Sequence, residues 1–432
     1  MSDYATLHRL PGASLIVALT LLIVCAIPSY AVQQASHAQN GAGAPPAGLT
    51  TRPLPALHVA NKQFADTTGK AVLLTGVNLG GWLVTEGWMC GDKQSDRFLL
   101  ERLESRFGPE RAAKLMDAWY DNWITLADLD RVRSYGFNVV RVPFGYRNLQ
   151  NAAGEWKRLP NGEIDFTRLD WIVREAGRRG IYVVLDLHIW SGQKEQYQAV
   201  SRLQPLGDTQ RAFAAALWGA VAKHFKGNGT VAGFDLVNEP EGSAGDTLQK
   251  ALLGAVRRED PDRIVMGEGQ YYTNFKEPIF ANSVWSAHYP DDKAPGTVDE
   301  KVERWSSSQR ISQNPDVPCA VFMGEIKSPE DNETSARDLG NALSSRGWSW
   351  AVWCYKGVNV GGWASFNYYQ DSVHYDSATD SYESLMDVFS KRLRQWQDPT
   401  QPKNWYQTDW WVAGYGKAAT YAQKKSAPLV QH

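Results

Sequence analysis

Two glutamates stand where a carboxylate is expensive. In the stretch AGFDLVNEPEG, residues 232–242, the strand formers Phe234, Leu236 and Val237 lead straight into Asn238-Glu239-Pro240. In CAVFMGE, residues 319–325, another apolar run ends on Glu325. A carboxylate in such a place is costly unless it is paired, neutral or put to use. Further apolar runs carry polar residues in the same way: Asn78, Arg141, Asp186 with His188, Glu268, and His288 with Tyr289, while Trp353 lies in the run SWAVWCY. Two carboxylates backed by His, Arg, Asn and aromatic side chains, without a Cys/His cluster at zinc spacing, point to cleavage of a glycosidic bond. That reaction needs one protonated carboxyl to donate to the leaving oxygen and a second, ionised one to attack or to activate water. It calls for no cofactor and no metal.

The elements that must position these residues alternate. Strand patterns fall at 71–78, 137–144, 181–188, 231–238, 263–269, 283–289, 319–325 and 349–355. Amphipathic helical patterns lie between most of them, as at 169–180, 209–225 and 246–260. Apolar runs of this kind suit parallel strands covered by helices. Their number and rhythm fit an α/β fold of the (β/α)8 TIM barrel type, as a single catalytic domain over 57–411. A doubly wound open sheet is the alternative, but no strand leads into a phosphate-binding glycine fingerprint. In a barrel the C-terminal strand ends share one face, where active sites sit. Strands four and seven face each other across that mouth, so Glu239 and Glu325 would address one sugar.

The 432 residues carry a formal net charge of −2 and no strongly basic stretch, which disfavours nucleic acid and anionic membrane as partners. Eighteen Trp and eighteen Tyr suit either a large aromatic core or sugar-stacking platforms. The run ASLIVALTLLIVCAI follows Arg9 and precedes small-x-small cleavage sites. It reads as a secretory signal peptide over 1–31, with an uncleaved membrane anchor as the alternative, and implies a secreted or periplasmic protein. Residues 32–56 read as a flexible linker and 412–432 as a C-terminal tail. Cys90, Cys319 and Cys354 would remain after cleavage, and buried free thiols are the plain reading.

The segments LTGVNLGGWLV, GFNVVRVPFGY, VLDLH, FDLVNEP, FMGE and WAVWCYKG, in this order at strand ends, together resemble glycoside hydrolase family 5 of the clan A barrels. The resemblance covers about 57–400 and is nearest the exo-β-1,3-glucanase branch. It implies Glu239 as general acid/base and Glu325 as nucleophile of a retaining β-glycosidase, acting on β-glucan or related oligosaccharides. It further implies substrate or site contacts for Glu86, Arg141, His188, Asn238, His288 and Trp353. Glu239 would be held neutral by burial and its neighbours. Arg141 has a second reading, as a structural arginine pairing Asp186 or Asp235. Glu268 is open between a third site carboxylate and a capping residue. Trp82, Trp190 and Trp363 read as core. The family pattern at strand six is His-x-Tyr, whereas this chain has His288-Tyr289-Pro290. Tyr289 takes the family role only after a local shift; otherwise the role falls to another residue. The loop after strand three, DLHIWSGQKEQYQ, also departs from the branch, at a place that helps shape the substrate pocket. An endo-β-1,4-glucanase or mannanase on the same fold, and a catalytically silent carbohydrate-binding barrel, are the rival readings.

Overall fold

The computed structural model describes residues 49, 54–95, 98–190, 208–240, 242–269, 278–289, 294–308, 319–397 and 402–426. The expected signal segment, most of the expected linker and the divergent loop from residue 191 lie outside them. Strands β1 (His58–Ala60) and β2 (Gln63–Ala65) form a hairpin. Eight strands then close a barrel: β3 (Thr75–Asn78), β4 (Val139–Gly145), β5 (Tyr182–Ile189), β6 (Val231–Asp235), β7 (Val265–Gly267), β8 (Ser283–His288), β9 (Ala320–Ile326) and β10 (Ser349–Val352). Every neighbouring pair is parallel, and Trp350 opposite Thr75 closes the ring. These are the eight expected strands in the expected order, so the fold is a (β/α)8 barrel.

The strands form because β-branched and aromatic residues fill both faces. In β5, Tyr182 to His188 are all buried, as suits a strand covered by helices outside and packed side chains within. Leu57 and Phe64 of the hairpin region join Leu74, Tyr182, Ile264, Met266 and Phe322 in the N-terminal barrel core. The N–H of Val59 donates to Asn282 Oδ1 at 2.6 Å, and the Tyr182 hydroxyl donates to the Pro55 carbonyl at 3.0 Å. The hairpin thus plugs the end opposite the catalytic face.

The long connection from β3 to β4 holds helices α1 (Leu99–Phe107), α2 (Pro109–Trp123) and α3 (Leu126–Ser134). Trp119 and Trp123 stack at 4.6 Å and donate their indole N–H groups to the carbonyls of Gly81 (2.9 Å) and Gly80 (3.0 Å). They pin the loop that follows β3. Helices α4 (Thr167–Arg178), α5 (Asp208–His224), α6 (Gly242–Glu259), α7 (Val298–Ser308) and α8 (Glu333–Ser345) complete most of the outer layer. In α4, Leu169, Ile172, Val173 and Ala176 follow helical spacing and are buried. In α8, Asn332 caps the helix by accepting the Ser335 N–H at 2.8 Å.

Beyond β10, a small sheet of β11 (Lys356–Val358), β12 (Phe366–Tyr368) and β13 (Trp405–Gln407) lies beside the barrel. The buried Lys356 ammonium pairs with Asp128 at 2.7 Å and ties this sheet to α3. Asp128 also accepts the Tyr355 hydroxyl and closes the capping box with Thr125. After α9 (Tyr382–Ser390), helix α10 (Asp409–Lys425) packs on α8. This corrects the expectation of a tail from residue 412: Tyr415, Ala418, Ala419 and Ala422 are buried. Gly340 permits the contact, since a Cβ there would lie 2.5 Å from the Ala418 methyl. The segment DWWVAGYGKAATYAQKK hides its helix behind aromatics and two glycines, which are poor helix formers. Among the described residues no helix is long and apolar enough to cross a membrane, and Cys90, Cys319 and Cys354 are buried free thiols.

If α10 is core, Tyr415→Ala removes a fully buried ring and should cost about 3 kcal/mol. Chemical denaturation measures this, and a loss under ~0.5 kcal/mol is what a loose surface segment would give.

Candidate active site

Arg141, on β4 and fully buried, is the hub of the barrel mouth. Its Nε donates to Asp235 Oδ2 at 3.0 Å. One terminal nitrogen donates to Asn78 Oδ1 at 3.1 Å and to Glu325 Oε1 at 2.8 Å. The other donates to Asn238 Oδ1 at 2.9 Å, and lies 3.1 Å from Asp186 and 3.6 Å from Glu268. Both readings of Arg141 therefore hold: it pairs Asp186 and Asp235, and it contacts Glu325. Burial opposes its charge, but Asp186, Asp235, Glu325 and Glu268 outweigh that and push its pKa higher still. Arginine only donates, so Asn238 must turn its oxygen inward, which leaves its NH2 group as a donor. Asn78 Nδ2 in turn donates to the Gly324 carbonyl at 2.8 Å, fixing the residue before Glu325. Gly324 lacks a side chain for a reason: a Cβ there would lie 3.0 Å from Ser286 Oγ and 3.3 Å from His288 Nε2.

Glu239 follows β6. Trp218 of α5 donates to the Leu236 carbonyl at 2.8 Å and anchors the approach to it. At Glu239 the backbone turns to a φ of +48°. The side chain is 58% exposed and accepts His288 Nδ1 at 2.9 Å. This corrects the expectation of a carboxyl kept neutral by burial. The hydrogen bond from His288 outweighs burial and lowers the Glu239 pKa to about 2. His288 carries the charge instead. Burial works against its protonation, but Glu268 and Glu325, with the hydrogen bond to Glu239, hold its pKa well above 6.5. Glu239, His288 and Glu325 each present an atom such that all three lie within 4.8 Å of one another. These are also metal-donor types, but the Arg141 guanidinium, 2.8 Å from Glu325, would repel a divalent ion.

On the other side, His188 Nδ1 bonds Asp186 Oδ2 at 2.7 Å, so Asp186 bridges His188 and Arg141. His188 Nε2 faces Glu86 Oε1 at 3.9 Å, and Trp88 donates to Glu86 Oε2 at 2.6 Å. The Trp353 ring stacks on His188 at 5.6 Å and 10°. The peptide bond from Trp353 to Cys354 is cis. Glu86, Arg141, His188, Asn238, Glu239, His288, Glu325 and Trp353 are thus linked in one site. Tyr289 is not brought into it. Alternation along β8 turns His288 inward and Tyr289 outward, where its ring is 4% exposed and packs on Trp305 of α7 at 5.7 Å. Trp82 and Trp190 are core, as expected, whereas Trp363 is 40% exposed and stands edge-on to Trp88 at 6.0 Å. Glu268, left open in the sequence between a site carboxylate and a capping residue, faces His288 and Arg141 in the site. Asn78, a strand end given no role, and Asp235, named only as a partner for Arg141, join it, and Ser286 had no signal in the sequence.

A closed parallel barrel with paired carboxylates at its C-terminal mouth defines a glycoside hydrolase of the (β/α)8 class. Residues 97–359, more than half of the chain, match the family model described as Cellulase (glycosyl hydrolase family 5), and the chain belongs to that family. A protein named beta-xylosidase from Phanerodontia chrysosporium is 23% identical over 78% of this chain and 76% of its own length. A probable glucan 1,3-beta-glucosidase A from Aspergillus niger is 33% identical over 46% of this chain and 50% of its own length. The chain thus spans about half the length of that glucosidase. The crystal structure of rutinosidase from Aspergillus niger shares the fold, with a TM-score of 0.51 and 18% identity over 74% of this chain and 98% of that one.

Two outcomes follow from the geometry. Arg141→Met strands Asp186 and Asp235 without their cation and should destabilise the fold by about 3–5 kcal/mol in denaturant titrations. Glu239 has a folded pKa below its unfolded value, so the stability it adds is present above pH 4.5 and is lost as pH falls toward about 2. The difference in Tm between the wild type and Glu239→Gln should therefore be largest above pH 5 and shrink on acidification toward pH 2.

Proposed function

We propose that the chain is a retaining β-glycosidase that hydrolyses β-glucan or related oligosaccharides, in the manner of a glucan 1,3-β-glucosidase. Glu325 attacks C1 and forms a glycosyl-enzyme, while the proton shared by the Glu239–His288 pair passes through Glu239 to the leaving oxygen. Glu239 then takes a proton from water, whose oxygen displaces Glu325. The observation that carries this reading is the spacing: oxygens of Glu239 and Glu325 lie within 4.8 Å of each other. Retaining enzymes hold their carboxyl groups ~5–5.5 Å apart, whereas inverting enzymes leave ~6.5–9.5 Å for a water between them. Arg141 donates to Glu325 Oε1, leaving Oε2 to attack. Asn238 offers its NH2 to the sugar 2-hydroxyl, and Trp353 supports the ring face. Glu86, held by Trp88 and facing His188, is the contact for outer hydroxyls of the terminal sugar. The N-terminal apolar run supports export of the protein.

A second reading has its own support. The relative named beta-xylosidase matches over a larger share of this chain than the glucosidase does, so xylosides belong among the test substrates.

A product time course on β-1,3- and β-1,4-gluco-oligosaccharides and on xylosides, with anomers followed by proton NMR, tests the proposal. Single glucose units released from β-1,3 chains as the β-anomer are expected. Glu325→Ala should lose at least ~10³-fold in kcat with the fold intact. Wild-type-like turnover by that variant, or first-formed α-anomer, would overturn the mechanism.

A further inference from the structure

Glu268 ends the strand pattern at β7 and has no part in the mechanism above. It is buried, and it is held with unusual care. Gln249 of α6, itself fully buried, clamps its main chain from both sides. Gln249 Nε2 donates to the Glu268 carbonyl at 3.0 Å, and the Glu268 N–H donates to Gln249 Oε1 at 2.8 Å. The carboxylate then reaches two parts of the acid/base apparatus at once. Its Oε2 accepts the backbone N–H of Glu239 at 2.9 Å, at the residue with positive φ. Its Oε1 faces His288 Nε2 at 3.4 Å. The opposite ring nitrogen of His288 is the one bonded to Glu239. Glu268, His288 and Glu239 therefore form a continuous line.

We propose that Glu268 is a positioning residue for proton transfer: it fixes His288 as an imidazolium whose Nδ1 proton passes to Glu239 Oε1 as the leaving group departs. This rests on Glu239 being the acid/base. The protons balance over the cycle. In the first half, the C1–O bond breaks, the C1–Oε2 bond to Glu325 forms, and the proton moves from His288 through Glu239 to the leaving oxygen. In the second half, water supplies the oxygen that displaces Glu325, and its proton returns through Glu239 to His288. A neutral imidazole has one N–H and can donate to only one of the two carboxylates, so the other contact would need a protonated carboxyl, whereas an imidazolium donates to Glu239 and Glu268 alike.

The charges around His288 come from every neighbouring strand end. Glu239 and Asp235 belong to β6 and its exit, Glu268 to that of β7, and Glu325 to β9. Arg141 on β4 and His188 on β5 oppose them, and Ser286 on its own strand donates to Asp235. Glu268 is the carboxylate among these that touches both His288 and the Glu239 main chain and does not itself react.

Glu268→Gln keeps an oxygen for the Glu239 N–H and removes the charge facing His288. The test is the pH profile of kcat/KM for this variant and the wild type on two substrates of the same glycone. One is an unactivated oligosaccharide. The other is a 2,4-dinitrophenyl glycoside, whose leaving group needs no proton. Loss of one carboxylate beside a histidine is expected to move the alkaline limb down by about one unit. Above that limb the oligosaccharide should lose roughly tenfold, with KM little changed, and the dinitrophenyl glycoside should lose far less. Glu268→Asp, which restores the charge, should recover part of the limb. An unshifted limb in Glu268→Gln, or equal losses on both substrates at all pH values, overturns the proposal. If Glu268→Gln does not fold, Glu268→Asp carries the test through a smaller downward shift, and no shift overturns it. A wild type inactive on every glycoside would overturn the proposed function itself; an active wild type with an unshifted variant overturns only this inference.

Discussion

A guanidinium with no access to water is the constraint around which the barrel mouth is arranged. Arginine does not shed its proton in proteins, so Arg141 must be neutralised where it stands. The barrel supplies the partners from around its circumference: Asn78 on β3, Asp186 on β5, Asp235 on β6, Glu268 after β7 and Glu325 on β9. A one-residue slip in any of these strands would turn its partner to the other face. The ion cluster therefore fixes register as well as charge. It also sets the site, because the Glu325 carboxylate and the Asn238 amide beside Glu239 both hang from the same side chain. More carboxylates than cations remain in the mouth, which suits a neutral polyol whose transition state develops positive charge.

The tryptophans contribute mostly at one remove. Trp119 and Trp123 belong to the outer layer, yet their indole N–H groups hold the loop that carries Glu86. Trp218 does the same for the strand that delivers Asn238 and Glu239. An indole is well suited to this, since its apolar body fills the outer layer while its single donor ties down one backbone carbonyl. Among the described residues, Trp353, under the mouth beside His188, and Trp88 with the exposed Trp363 stand where a sugar face could meet them.

The barrel was legible in the sequence because β-branched runs alternate with helical spacing, and because each buried run that ended on a polar residue announced a rim position. Glu239, Glu325, Arg141 and both histidines were found in that way. Other features depend on direction or on distant contacts, which spacing does not carry. Tyr289 shares a motif with His288 but points the other way along the strand. The apolar neighbours of Glu239 suggest a buried, neutral carboxyl, whereas at a left-handed turn the side chain is exposed and bonds the His288 ring. Ser286 sits within a strand pattern, and only the closed barrel brings its hydroxyl to Asp235. Helix α10 is hidden by its glycines, whose value appears only in the packed fold: Gly414 lies against α8 and Gly416 against the Tyr135 carbonyl.

That left-handed turn has a consequence for anyone reshaping the protein. A residue with a Cβ in this region of backbone space costs about 1–2 kcal/mol relative to its relaxed conformation, and glycine or asparagine costs less. At position 239 the relief of that turn is therefore set against the loss of the bond to His288. A sequence library sorted only on survival at high temperature would register the difference between those two quantities and nothing of the carboxyl's chemistry.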